Sequence, residues 1–115
     1  MIVVSLSLAT ICFMGECHPA LVGKDTPVGG FKVQQRIVAS EGYGGDVLSF
    51  TEDEKGVYAI HRVWTRRPGE RRMQRLASSK ASDRQTITNG CINVAPAVYE
   101  QLVRCCSSES LRVVP

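Results

Sequence analysis

Along the opening of the chain Val4, Leu6 and Leu8 fall on one side and Ser5, Ser7 and Ala9 on the other, the period of a strand with one face on a core. The pattern predicts a first strand from about Ile2 to Phe13. A turn at Met14-Gly15-Glu16 and a return from Cys17 to Val22 would complete a hairpin. Gly23-Lys24-Asp25-Thr26-Pro27 is a turn by composition, and Val28 to Val33 leads into a third strand through Gln34, Gln35, Arg36, Ile37 and Val38. Gly42-Tyr43-Gly44-Gly45 breaks the chain. Asp46 to Phe50 and Gly56 to Val63 form a further pair across the acidic Glu52-Asp53-Glu54-Lys55 turn, which puts His61 near a strand end.

From Trp64 to about Arg84 no apolar period survives. Arginines, serines, Pro68 and Gly69 dominate, and the segment reads as a long loop with one short helical turn at Arg71 to Ala77. Order returns at Gln85. Pro96 suits a first helical turn, and Val98, Leu102 and Val103 give an apolar face to a helix from about Ala95 to Cys105. Leu111 to Val114 is a short closing strand. The expected fold class is mainly β with one helix (α+β), residues 1–115 forming one domain with an Arg-rich loop at about 64–84.

Length and composition fit that reading: 115 residues, 43% of them hydrophobic, can build one core but not two. The formal charge of +3 is modest but unevenly spread, with Glu41, Asp46, Glu52, Asp53 and Glu54 ahead of the arginine-rich segment from Arg62 to Arg84. Stacking aromatics are not interleaved with these arginines after Trp64, so no nucleic-acid partner is expected. The apolar run at residues 2 to 14 has no basic segment before it and no small-x-small cleavage site after it, and is shorter than the roughly 20 residues of a membrane span. We therefore expect no integral membrane segment, and a chain that is a mature or excised piece or is exported by another route.

Five cysteines cannot all pair internally, so at least one thiol is free. Cys12 and Cys17 flank one turn and would either pair in an oxidising compartment or stay as two free thiols. Cys105 and Cys106 end the helix, where adjacent thiols seldom bond and packing is the expected role. A zinc site from Cys17, His18 and this pair lacks a Cys-x-x-Cys knuckle, so no metal is expected. Cys91 is the candidate for the free thiol. It sits in Thr86-Ile87-Thr88-Asn89-Gly90-Cys91-Ile92-Asn93, among small polar neighbours, after a glycine that permits a tight turn and would expose the sulfur. The helix beginning near Ala95 would favour a thiolate through its positive end, and the amides of Gly90 and Cys91 could donate to an oxyanion. His61 is the histidine placed to act as base, whereas His18 is fixed beside Pro19 in the opening hairpin.

These residues carry a resemblance. Thr88-Asn89-Gly90-Cys91-Ile92-Asn93 with His61 upstream resembles the signature of the L,D-transpeptidases: His, a spacer, Ser or Thr, His, Gly, Cys, a hydrophobic residue, then Asn or Arg. Gly23-Lys24-Asp25-Thr26-Pro27-Val28-Gly29-Gly30-Phe31 resembles the family's Thr-Pro-x-Gly-x-Phe turn, so the likeness covers nearly the whole chain in order. It implies a mixed, β-sandwich-like catalytic fold, no cofactor, and an envelope or periplasmic location in a bacterium. Peptidoglycan stem peptides are the implied substrates and carbapenem-type molecules the implied inhibitors. Cys91 would attack the carbonyl of the third residue of a donor tetrapeptide, expel D-alanine and form an acyl-enzyme, with His61 as base. A 3-3 cross-link would follow on transfer to an acceptor amine. Gly90, Thr88 and Asn93 would shape the turn. Two departures bear on the substrate pocket: Asn89 stands where the family has histidine, and Arg62 replaces the small residue after the first histidine. The spacer to Thr88 is also longer, the excess lying in the arginine-rich loop, which could contact stem-peptide carboxylates through Arg66, Arg67, Arg71 or Arg72. An L,D-carboxypeptidase or exchange enzyme with the same site, and a non-catalytic peptidoglycan-binding module, remain as alternatives.

Overall fold

The computed structural model describes residues 1–115. Strands β1 (Ile2–Ser5), β2 (Thr10–Phe13), β3 (Glu16–Pro19), β4 (Gly29–Lys32) and β9 (Ser110–Val114) form one sheet in the order β3-β2-β1-β9-β4. Strands β5 (Gln34–Ile37), β6 (Asp46–Asp53), β7 (Gly56–Arg62) and β8 (Ile92–Val94) form a second, in that order. Each sheet is antiparallel but for one parallel pair, β1 with β9 and β7 with β8. Two helices complete the fold, α1 (Arg72–Leu76) and α2 (Pro96–Cys106), the latter with Pro96 in its first turn. No helix is long and apolar enough to cross a membrane.

Several expectations are corrected. The run from Ile2 to Phe13 is two strands folded on each other, with Val3 opposite Cys12 and Ser5 opposite Thr10. Ser5 Oγ accepts the Leu8 amide at 3.2 Å and Ala9 turns left-handed at φ 50°, so the chain reverses inside the alternating pattern. Leu8 is consequently exposed. The strand expected to run through Val38 breaks at Val33, a buried hinge whose flanks belong to different sheets and whose amide bonds to Glu109. The short helical turn expected at Arg71 to Ala77 is present as α1, between 3₁₀ turns at Pro68–Glu70 and Ala81–Asp83, so the helices number two and the arginine-rich segment is not a plain loop. Strand β8 was not foreseen, because three residues are too few to show a period.

One core joins both sheets and α2: Ile2, Val4, Ile11, Leu111 and Val113 from the first sheet, Leu48, Ile60, Ile92 and Val94 from the second, and Tyr99 and Leu102 from the helix. Strand alternation then decides where the site lies. Tyr58 and Ile60 of β7, with Ile92 and Val94 of β8, belong to this core, so Ala59, His61, Cys91 and Asn93 take the opposite face of the sheet. That face is covered by a smaller apolar cluster of Leu21, Val63 and Leu76, which anchors α1. Cys12 and Cys17 are in register across β2 and β3 and form a disulfide. Cys105 and Cys106 are also bonded to each other, against expectation, in the last turn of α2 where the backbone lacks onward helical partners. Cys91 is the free cysteine.

Candidate active site

The two stretches singled out in the sequence meet in space. Leu21 exchanges backbone hydrogen bonds with Asn93 at 2.9 Å in each direction, and the Val22 carbonyl accepts the Ile87 amide at 3.0 Å. This brings the Gly23-to-Pro27 turn against Thr88, so close that a Cβ on Gly23 would overlap the Thr88 carbonyl. The turn is closed on itself by the Gly23 amide, which donates to Thr26 Oγ1 at 3.0 Å. Gly90 is equally constrained, since it adopts φ +127° and a Cβ there would run into the Tyr58 ring. Thr88 is buried, and its hydroxyl donates to the Cys91 carbonyl at 2.6 Å while accepting the Gly90 amide at 3.2 Å. That amide is therefore spent within the turn and is not free as an oxyanion donor, contrary to expectation.

Cys91 and His61 open into one cavity of about 580 Å³, whose walls include Tyr58, Thr88, Asn89 and Arg72. The register of β7 and β8 pairs His61 with Asn93, which leaves Cys91 one alternation back on the same face. His61 is buried. Its Nδ1–H donates to the Arg62 carbonyl at 2.7 Å, which fixes the tautomer and leaves the lone pair on Nε2. Asn93 Nδ2 approaches that nitrogen at 3.5 Å, and the Tyr43 ring meets the imidazole edge-on at 4.8 Å. The Cys91 thiol points to the Val57 carbonyl at 3.8 Å and does not hydrogen-bond to the imidazole.

Electrostatics leave both groups neutral near pH 7. Burial pushes the His61 imidazole down to about 4, against a smaller upward pull from the Arg62 carbonyl, and the nearby Arg72 cation adds to the depression. Burial also pushes the Cys91 thiol up, partly offset by the Ala59 amide and by Arg72. The expected help from a helix end does not arrive, because β8 separates Cys91 from the start of α2 by on the order of 10 Å of extended chain.

The remaining sequence-derived positions divide sharply. Asn93 is wholly buried and is a strap rather than a turn residue: its Oδ1 accepts both the Trp64 amide and Arg72 Nη1 at 3.0 Å. Asn89 is exposed at the cavity rim. Arg62 is not in the cavity. It pairs with Asp46 at 2.9 Å and Glu100 at 2.8 Å and lies over the Tyr99 ring, on the far side of β7 from His61. Of the loop arginines, Arg66 pairs with Glu41 at 2.8 Å and Arg71 faces a separate hollow with Gln74 and Asp83. Arg67 and Arg72 line the cavity. Nothing in the sequence separated Arg72 from its neighbours, since the loop has no period to assign it a side. His18 also lies elsewhere, packed on Phe13 at 5.2 Å.

No family model matches the sequence, and no curated protein matches it. Solved structures do match. A crystal structure of the L,D-transpeptidase from Xylanimonas cellulosilytica superposes with a TM-score of 0.60 at 17% identity, covering 97% of this chain and 58% of that one. An L,D-transpeptidase from Mycobacterium smegmatis gives 0.60 at 20% identity, covering 99% and 58%. The fold is the L,D-transpeptidase fold. It is mainly β, with two mixed sheets and two short helices. The chain spans 58% of the length of each of these L,D-transpeptidase structures.

Proposed function

We propose that this chain is a cysteine acyltransferase of the L,D-transpeptidase type, acting on peptidoglycan stem peptides in the bacterial cell envelope. The observation that carries the reading is the pairing of the one free cysteine with a tautomer-fixed histidine on the same face of adjacent strands, both open to one cavity. The reading requires the Cys91 thiol to leave the Val57 carbonyl and reach His61 Nε2, a change of side-chain rotamer. Nε2 then takes the thiol proton as sulfur bonds to the carbonyl carbon of the third stem residue, and the carbonyl π pair moves to oxygen. The imidazolium keeps its Nδ1–H on the Arg62 carbonyl. Collapse breaks the peptide C–N bond, Nε2 returns the proton to the leaving nitrogen, and D-alanine departs from a thioester on Cys91. An acceptor amine then attacks the thioester carbon, gives its proton to His61, and regenerates the thiol. The imidazole is deprotonated before substrate arrives, but at about 4 it is a weak base toward a thiol pushed up by burial, so the proton transfer has to be concerted with sulfur attack on the carbonyl carbon.

Incubation with a carbapenem followed by intact mass should show one covalent adduct, absent in Cys91→Ser. D-alanine should be released from a tetrapeptide, with a drop of at least about a hundredfold in His61→Ala. Absence of both adduct and D-alanine would sink the enzyme reading. Products separate the related outcomes: 3-3 linked dimers mark a transpeptidase, and free tripeptides mark a carboxypeptidase. One observation favours a second reading, a peptidoglycan-binding module without turnover, namely the thiol turned to Val57 rather than to the imidazole. That module would sediment with murein sacculi while releasing no D-alanine.

A further inference from the structure

Arg72 is a cation held close to the thiol with part of its donor set unspent. Its side chain is only 10% exposed, yet it borders the cavity. Nε donates to Glu70 Oε1 at 2.9 Å and Nη1 to Asn93 Oδ1 at 3.0 Å, while the guanidinium lies 5.2 Å from the Trp64 ring centroid. Nη2 has no partner within the chain. A guanidinium has five donors in a planar fork, and a carboxylate offers the matching pair of acceptors. Glu70 and Asn93 take the Nε and Nη1 donors, which leaves Nη2 for a second acceptor. Lys55 and Arg67 also line the cavity but are exposed, whereas Arg72 is the well-buried cation there, with Glu70 as its ion-pair partner. The other loop arginines are either paired elsewhere or at the rim.

We infer that Arg72 is a specificity-determining residue that binds, through its free Nη2 edge, the terminal carboxylate of the residue expelled from the acyl donor; this rests on the acyltransferase reading. Arg72 and Cys91 line the same cavity. In the donor, that carboxylate carbon lies three bonds from the carbonyl carbon under attack. In the protein, Cys91 and Asn93 are two strand positions apart, on the order of 7 Å, and Arg72 Nη1 is 3.0 Å from Asn93 Oδ1. A donor whose carbonyl meets Cys91 in this cavity brings its terminal carboxylate into the space that Arg72 borders. The Trp64 ring and Asn93 hold the fork in place, so little side-chain freedom is lost when the anion docks.

The test compares a tetrapeptide donor ending in a free carboxylate with the same peptide ending in an amide. Wild type should favour the acid by about tenfold to a hundredfold in kcat/KM, the worth of a charge-assisted hydrogen bond. Arg72→Gln should bring the ratio near one chiefly by losing rate on the acid, and Arg72→Lys, which keeps the charge but not the fork, should retain part of it. Equal loss on both donors in Arg72→Gln, or no discrimination by wild type, overturns the inference in favour of a structural strap. Binding of both peptides to Cys91→Ala separates the two readings. Acid-selective binding abolished by Arg72→Gln, with no turnover by wild type, retains Arg72 and overturns the transferase. Turnover with equal binding and equal rates retains the transferase and overturns Arg72, and no binding of either peptide overturns both.

Discussion

Burial holds the His61 imidazole at about 4 rather than its ordinary 6.5, and this ties stability to pH. In the folded chain the ring takes its proton only near pH 4, whereas in the unfolded chain it takes it near 6.5. The unfolded state therefore binds more protons between these values, and stability is full above about pH 6.5 and lost as pH falls toward 4. The displacement corresponds to about 3 kcal/mol. Denaturant titrations between pH 7 and 4 should show this loss in wild type and a flatter profile in His61→Gln; identical slopes would show that His61 is not buried neutral. At this scale the sequence was informative where chemistry is local. Gly90 beside Cys91, and a histidine ending a strand, stand out because their neighbours reveal them. The family pattern ties Arg62, at the residue after the first histidine, to the pocket, whereas period two sends consecutive strand residues to opposite faces and puts Arg62 with Tyr99. The neutrality of the pair was not legible, since it depends on the loop and strands that bury it.

The arginine-rich loop becomes structure through one residue of α1. A five-residue helix is far too short to persist alone, and Leu76 supplies the anchor by burying against Leu21 and Val63. Leu76→Ala should cost about 2–3 kcal/mol in global stability. It should also raise hydrogen exchange across Arg72–Leu76 well above that of β7, because the helix would lose its apolar seat while the sheet keeps its ladder. Unchanged exchange in α1 would mean that the polar contacts of Arg72 and Arg75 hold it instead. Elements were legible in the sequence to the degree that their periods were long and unbroken. The β6–β7 pair and α2 meet that condition. The β1–β2 reversal does not, because the alternation continues through a turn made by the Ser5 hydroxyl and Ala9. Strand β8 does not either, because its partners β7 and Leu21 are distant in sequence.

The two ends of the chain close the molecule together. β9 lies between β1 and β4, parallel to one and antiparallel to the other, with Val4 beside Val113 and Phe31 beside Leu111. These pairings join residues far apart in sequence, so closing them carries a large loop-entropy cost. The site depends on them indirectly: Leu111 and Val113 pack in the same core as Ile60 and Ile92, whose strands carry His61 and Cys91 on their other face. Removing residues 110–115 would leave β1 and β4 with open edges and expose the core between them. The truncated chain should lose its cooperative thermal transition, whereas Val113→Ala, a smaller cavity in an intact sheet, should lower stability by about 1–3 kcal/mol and leave the transition cooperative. Carbapenem labelling of Cys91 should disappear with the truncation and persist in Val113→Ala. A truncated chain that still melted cooperatively and took up the label would mean that the second sheet, α2 and the loop form the site without the first sheet behind them.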